Sequence, residues 1–228
     1  MVQSINSRSY DAWIFDLDNT LYPYKNNLFD QIDLRIQEYV SNILNISLTQ
    51  AHTIQKQYFN SYGTTLLGLM ENYDINPYDF LNYVHNVDLN LIKPDPKLTD
   101  VVSKLPGQKI IFTNADLSYA ERVINQIGFE RNTFDLIFDI EAANWLPKPN
   151  YQTYLKLINK TGINPNKSIF FEDIPTNLIP ASKIGMTTVW LENNAEWATL
   201  DSDYLQADYK TNSLSDWLID FVDQVSGS

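Results

Sequence analysis

The first hydrophobic run in the chain, Ala12-Trp13-Ile14-Phe15, is short and unbroken and ends in a cluster of acids and turn formers. A run without apolar/polar alternation reads as a strand buried on both faces, as in a parallel sheet. Similar runs recur at 109–112, 136–138, 168–171 and 187–191, each separated from the next by residues with helical periodicity. After the second run, Ser118 and Glu121 have the spacing of a capping box, Val123, Ile124 and Ile127 mark one face, and Gly128 supplies a stop. Tyr151, Tyr154, Leu155 and Ile158 repeat that pattern before Gly162, and Thr176 opens a shorter helix ended by Gly185. Strands alternating with helices predict an α/β fold, a doubly wound, Rossmann-like parallel sheet.

Between Pro23 and Pro96 the alternation gives way to helices alone. Leu28, Ile32, Ile36, Val40 and either Ile43 or Leu44 fall on one helical face. Ser47 with Gln50 predicts a second capping box for a helix running to Gly63, and further helices fit 64–72 and 78–86. The segment Lys93-Pro94-Asp95-Pro96 reads as a hinge back to the alternating part. The expected organisation is an α/β core made of residues 1–22 and 97–228, with an α-helical cap domain, 23–96, inserted between the first two strands. A last amphipathic helix is expected over 213–225.

Composition narrows the chemistry. The 228 residues carry a net charge of -12, which disfavours nucleic acid polymers and anionic membranes as partners through long-range repulsion. The absence of cysteine removes thiolate nucleophiles, cysteine-held metals and disulfides. No run approaches the roughly 18 apolar residues of a membrane span, and residues 1–10 lack an apolar signal core, so a cytoplasmic protein, monomer or homodimer, is expected. The two histidines, His52 and His85, read as ordinary residues of the helical insert.

The chemistry-bearing residues cluster where the strands end. Asp16-Leu17-Asp18-Asn19-Thr20 follows the first run, so Asp16 and Asp18 project from the carboxyl end of a parallel strand, where open sheets bind ligands. Two acids at this spacing divide labour: one attacks and ligates a hard cation while the other exchanges a proton. An isolated Asp-x-Asp reads first as a turn with a helix cap. Thr113-Asn114 follows the second run with groups able to hold phosphate oxygens, Lys148 stands between Pro147 and Pro149, and Glu172-Asp173 breaks abruptly from a buried strand. Each alone has an ordinary reading as a turn or a solvated loop residue. Asn177 suits either a partner for Asp173 or a first-turn position in the next helix. Tyr22 and Tyr24 are placed to line an entrance.

In combination these residues resemble, in order and spacing, the four signatures of the haloacid dehalogenase superfamily: Asp-x-Asp-x-Thr, then Ser or Thr, then Lys, then paired acids. The likeness extends over essentially the whole chain. It implies a phosphatase in which Asp16 is the nucleophile, Asp18 the general acid and base, Thr113 a phosphate ligand and Lys148 the neutralising cation. Magnesium would be held by Asp16, the backbone carbonyl of Asp18, and Asp173. Glu172 departs from the aspartate or glycine of many members. The run from Phe15 to Tyr22, residues 58–63 and 66–69, Lys93-Pro94-Asp95 and Phe112-Thr113-Asn114-Ala115 are similar to the pyrimidine 5'-nucleotidase branch, which implies a small phosphorylated metabolite such as uridine or cytidine monophosphate as substrate. Asn60 and Tyr62 are then candidates to contact the base, against the simpler reading of a helix-end amide and a packed ring. Other small phosphate esters, a phosphomutase, and a catalytically silent binding protein of the same fold are the competing readings.

Overall fold

The computed structural model describes residues 9–193 and 207–226. Five strands appear where the hydrophobic runs predict them: β1 (Ala12–Phe15), β2 (Gln108–Phe112), β3 (Leu136–Phe138), β4 (Ser168–Glu172) and β5 (Thr187–Leu191). A sixth, β6 (Tyr209–Thr211), pairs with β5 at the sheet edge. It is three residues long with no fully buried position, so no hydrophobic run announces it. The order is β3-β2-β1-β4-β5-β6 with every neighbouring pair parallel.

Side chains of a strand alternate between faces, and here both faces are covered. Trp13 and Phe15 of β1 join one core with Ile111, Phe171 and Val189, while Ala12 and Ile14 join another with Ile110, Phe112 and Phe170. The first core is closed by α5 (Pro96–Lys104), α6 (Leu117–Ile127) and α9 (Leu214–Ser226), and the second by α7 (Tyr151–Thr161) and α8 (Pro175–Lys183). Trp217, Leu218 and Phe221 of α9 are buried as the periodicity predicts, whereas the side chain of Val225 and residues 1–8 lie outside the described residues.

Between β1 and β2 lie α1 (Leu28–Leu44), α2 (Leu48–Tyr62), α3 (Thr65–Asn72) and α4 (Pro77–Val84). The capping box of Ser47 and Gln50 is present at the start of α2, and Gly63 in a left-handed conformation ends it. Leu28 and Ile32 of α1 pack into the sheet's core, whereas Val40 belongs to the insert's own cluster with Ala51, Leu69 and Phe80. Ile36 touches both, so α1 ties the insert to the sheet. Leu44 rather than Ile43 turns inward; Ile43 is 41% exposed.

Two local expectations are corrected, at the starts of α6 and α8. The cap of α6 is Asp116, whose Oδ1 accepts the Tyr119 N–H at 2.9 Å; the helix therefore starts one residue before Ser118, which sits inside the first turn and forms no capping box. The proline-rich segment leads directly into α5, with Asp95 as its cap accepting the Leu98 N–H and Pro96 in the first turn, where a missing N–H costs nothing. Helix α8 begins at Pro175, one residue before Thr176.

Gly68 lets α3 approach α2: a Cβ at that position would stand 2.4 Å from Tyr58 Cγ. Gly68→Ala is expected to lower stability by about 1–3 kcal/mol through overpacking, read as a drop in thermal midpoint. An unchanged midpoint would mean that the Tyr58 ring moves aside freely.

Candidate active site

In this strand order the connection leaving β1 goes to one side and the chain later returns to its other side as β4, so the crevice beyond their carboxyl ends is the topological switch point. A cavity of about 540 Å³ occupies that position, lined from the sheet by Asp16, Asp18, Asn19, Thr113, Lys148, Glu172 and Asp173, and from the insert by Ile36, Gln55, Phe59, Asn60 and Phe80 among others. The volume lies in the usual small-molecule range of roughly 300–1,000 Å³.

Lys148 is the hub. Its side chain is 1% exposed, and Nζ donates to Asp16 Oδ1 at 2.6 Å, Glu172 Oε2 at 2.7 Å and the Phe112 carbonyl at 2.9 Å. All three ammonium protons are thereby used. Burial alone would lower its pKa, but the charges and hydrogen bonds of Asp16 and Glu172 outweigh burial and raise it, so it stays a cation. Glu172 is equally committed: Oε1 accepts the Asp173 and Ile174 N–H groups, and Oε2 accepts Lys148 and Asn177 Nδ2. Asn177, in the first turn of α8, therefore orients Glu172 and not Asp173. Asp173 Oδ2 accepts Asn193 Nδ2 at 3.3 Å.

Asp16 keeps Oδ2 open apart from a long contact to Thr20 Oγ1 at 3.4 Å. Burial, reinforced by the Glu172 charge and opposed by Lys148, raises its pKa from 3.8 to about 7. Asp18 is held differently. Tyr22 and Tyr119 both donate to its Oδ1, at 2.6 and 2.8 Å; burial raises its pKa and these two donors offset only part of the rise. Tyr22 is thus buried against Asp18 and does not stand at an entrance, and Tyr24 is not among the cavity residues.

His85 is no ordinary insert residue. Its ring stacks on Tyr119 at 4.2 Å between centroids, its Nδ1 meets the Asp116 carboxylate, and it lines the cavity. Burial would raise the Asp116 pKa, but the hydrogen bond and charge of His85 outweigh it and hold it low. A line of contacts therefore runs from the start of α6 through His85 and Tyr119 to Asp18. Sequence offers no signal for it, because His85 and Tyr119 are 34 positions apart and meet only when α4 and α6 approach the same strand end.

The remaining candidates divide. Thr113 Oγ1 accepts the Ala115 N–H at 3.0 Å and makes no other bond among the described residues, which leaves its proton free to donate into the cavity. Asn114 does not present its amide to a ligand: Oδ1 accepts the Lys148 N–H and Nδ2 donates to the Lys148 carbonyl, so it positions the lysine's loop. Gly63 reaches the same loop, with its Cβ position 3.0 Å from the Lys148 carbonyl, so a side chain there would push on the lysine. Asn60 lines the cavity. Tyr62 does not; its ring packs edge-on against Tyr58 and its hydroxyl accepts Asn72 Nδ2.

The family model for haloacid dehalogenase-like hydrolases matches residues 10–185, which takes in every one of these loops. The chain belongs to this family. Among curated proteins the hydrolase is 29% identical over 196 residues to Phosphate metabolism protein 8 of Saccharomyces cerevisiae, an alignment covering 77% of this chain and 59% of that protein. The chain thus spans little more than half the length of the relative it matches. Among solved structures, CbbY of Rhodobacter sphaeroides in complex with phosphate superposes with a TM-score of 0.65 at 15% identity, covering 91% of this chain and 96% of that one. A HAD phosphatase from Thermococcus onnurineus gives 0.61 at 19% identity, covering 91% and 95%. At such identities the likeness is one of fold.

The hydrolase can also hold a hard cation. Carboxylate oxygens of Asp16, Glu172 and Asp173 lie within 4.8 Å of one another. Because the Glu172 oxygens already accept four hydrogen bonds, the open ligand positions belong to Asp16 and Asp173. Four carboxyl groups face a single ammonium, and burial together with the neighbouring acids pushes the Asp173 pKa well up, an imbalance that a divalent cation with a preference for oxygen ligands relieves. Among the described residues no helix is long and apolar enough to cross a membrane.

The raised pKa of Asp16 fixes a sign for stability in chelator. The folded carboxyl keeps its proton up to about 7 while the unfolded one loses it near 3.8, so the folded state binds more protons in that interval and stability falls as pH rises through it. Thermal midpoints measured in chelator between these limits are expected to fall more steeply for wild type than for Asp16→Asn. Parallel curves would remove Asp16 as the source.

Proposed function

We propose that the hydrolase is a magnesium-dependent phosphatase that cleaves a small phosphomonoester through an aspartyl-phosphate on Asp16, with a pyrimidine nucleoside 5'-monophosphate as the leading substrate. The observation that carries this reading is the pairing of Asp16, with Oδ2 open and Oδ1 anchored by Lys148, with an Asp18 held by two phenols at the same cavity. The yeast relative's name, Phosphate metabolism protein 8, and the phosphate bound by CbbY agree with it.

In this reading the Asp16 Oδ2 attacks phosphorus, the ester P–O bond breaks, and the leaving oxygen takes the proton of the Asp18 carboxyl. Water then attacks phosphorus and gives a proton to the Asp18 carboxylate, the P–O bond to Asp16 breaks, and inorganic phosphate leaves. Lys148 and the Thr113 hydroxyl face the charge on the transferring group, and the backbone around Lys148 is held by Asn114 so that the cation cannot drift. Bound magnesium, held by Asp16, the Asp18 carbonyl and Asp173, supplies electrostatic stabilisation of that charge. Asp18 separates this chemistry from dehalogenation, which has no ester oxygen to protonate. Tyr22 and Tyr119 hold the Asp18 carboxyl through Oδ1, which leaves Oδ2 to carry the proton that is transferred.

Residues 23–96 act as a cap domain over a core of 1–22 and 97–228, in support of which the cavity is walled by both parts and Ile140 and Trp145 pack with the insert's own cluster. Asn60 remains a candidate to meet the leaving group. Tyr62 has no support in the cavity lining.

The test is phosphate release from nucleoside monophosphates, sugar phosphates, phosphoglycolate and pyridoxal phosphate. Wild type is expected to be active with magnesium, silent with chelator, and best on uridine or cytidine monophosphate, while Asp16→Asn stays folded and inactive. Activity favouring another ester would overturn the substrate, and no activity on any would favour a binding protein. Tyr119→Phe removes a donor to the Asp18 carboxylate and so raises its pKa. The expected result is a loss in kcat on the order of tenfold, with the alkaline limb of the pH profile moved upward. A profile that does not shift would leave Tyr119 a packing role only.

A further inference from the structure

Among the described residues two buried side-chain atoms lack any hydrogen-bond partner, Asn19 Oδ1 and Gln55 Oε1, and both residues line this one cavity. Buried acceptors are almost always satisfied, so an open one inside a ligand cavity points to the ligand. Asn19 adjoins Asp18 and belongs to the catalytic loop. Gln55 lies on α2, in the insert, where only the part of a substrate remote from its reacting group would meet it.

The orientation of the Gln55 amide is decided by its neighbours. Nε2 donates to the Asp33 carbonyl at 3.2 Å and to Asp33 Oδ1 at 2.9 Å, and the same Oδ1 receives Lys56 Nζ at 2.8 Å. Turning the amide over would set Oε1 against two acceptors, so the oxygen is the free atom. Gln55 itself is 3% exposed. The insert's share of the cavity wall combines apolar side chains, Ile32, Ile36, Phe59 and Phe80 among them, with polar ones such as Asn60 and Thr65, and of these polar groups Gln55 carries the buried acceptor that is left unpaired.

We infer that Gln55 is a specificity-determining residue whose Oε1 accepts a hydrogen bond from an N–H or O–H donor on the leaving group of the substrate, where that group reaches the insert. The ligand class is a phosphomonoester that combines an apolar or planar body with a donor edge; the N3–H of uracil and the exocyclic amine of cytosine both satisfy it. This assignment rests on the phosphomonoesterase reading above. A substrate with no donor in its leaving group leaves the buried oxygen unpaired and is discriminated against.

The experiment compares kcat/KM for the best substrate of the panel with that for p-nitrophenyl phosphate, whose leaving group carries no donor, in wild type and in Gln55→Met, a variant of similar length without the acceptor. The ratio of the two is expected to fall about tenfold or more in the variant, mostly through KM of the better substrate. A ratio that does not move overturns the role of Gln55 and leaves the phosphatase reading standing. Absence of phosphate release by the wild type from every ester of the panel overturns the phosphatase reading and this inference with it. Should Gln55→Met fail to fold, the wild type is compared on the best substrate and its counterpart methylated at the donor nitrogen or oxygen, 3-methyluridine monophosphate if uridine monophosphate is best. Equal turnover of that pair, or a best substrate that has no such donor, overturns the inference.

Discussion

A lysine ammonium buried to 1% exposure is the constraint around which the carboxyl end of the sheet is built. A charge placed there without partners would be prohibitively destabilising, and removing one member of such a set leaves another buried and unpaired. Lys148 is satisfied by a carboxylate from the end of β1, a carboxylate from the end of β4 and a carbonyl from the end of β2. Those three strands are neighbours in the sheet, so the ion cluster can exist only when β1 is flanked by β2 and β4 in the observed register. The polar cluster and the hydrophobic sheet therefore specify each other.

The same cluster separates the tasks of its acids. Glu172 spends all its accepting capacity on the lysine, an asparagine and two backbone amides, and so acts as a brace. Asp16 and Asp173 retain open oxygens. Asp18 makes no hydrogen bond to the lysine and is held instead by two phenols, one of them backed by His85 and Asp116. Burial raises the proton affinity of Asp16 and Asp173, and at Asp18 two phenols offset part of the same rise, so neighbouring carboxyls in one cavity differ in what sets their protonation.

The insert contributes in a different way. Its helices carry their own small apolar cluster but remain tied to the sheet through α1, whose two ends belong to different cores. The wall they present to the cavity mixes apolar and polar side chains, and among the latter Gln55 has a buried amide oxygen that is left unpaired and whose orientation is enforced by Asp33. In the role proposed for Gln55, selectivity comes from the cost of leaving that oxygen unpaired rather than from a large number of contacts.

Local patterns in the sequence specify the strands β1 to β5, the helical insert, most helix ends and the haloacid dehalogenase-like family, because each rests on local information: apolar runs, period, glycine stops and acids placed directly after a strand. The acid pairs and Lys148 were visible for the same reason, since each follows its own strand within a few residues. What pairs with what was decided only by tertiary structure. The commitment of Asn114 to the Lys148 backbone, of Asn177 to Glu172, of Tyr22 and Tyr119 to Asp18, and the burial of His85 against Tyr119 join residues up to about a hundred positions apart, and no local pattern encodes such meetings. Asp116 illustrates the point within one side chain: one carboxylate oxygen caps α6, as local chemistry allows, while the other holds a histidine that only the folded chain delivers.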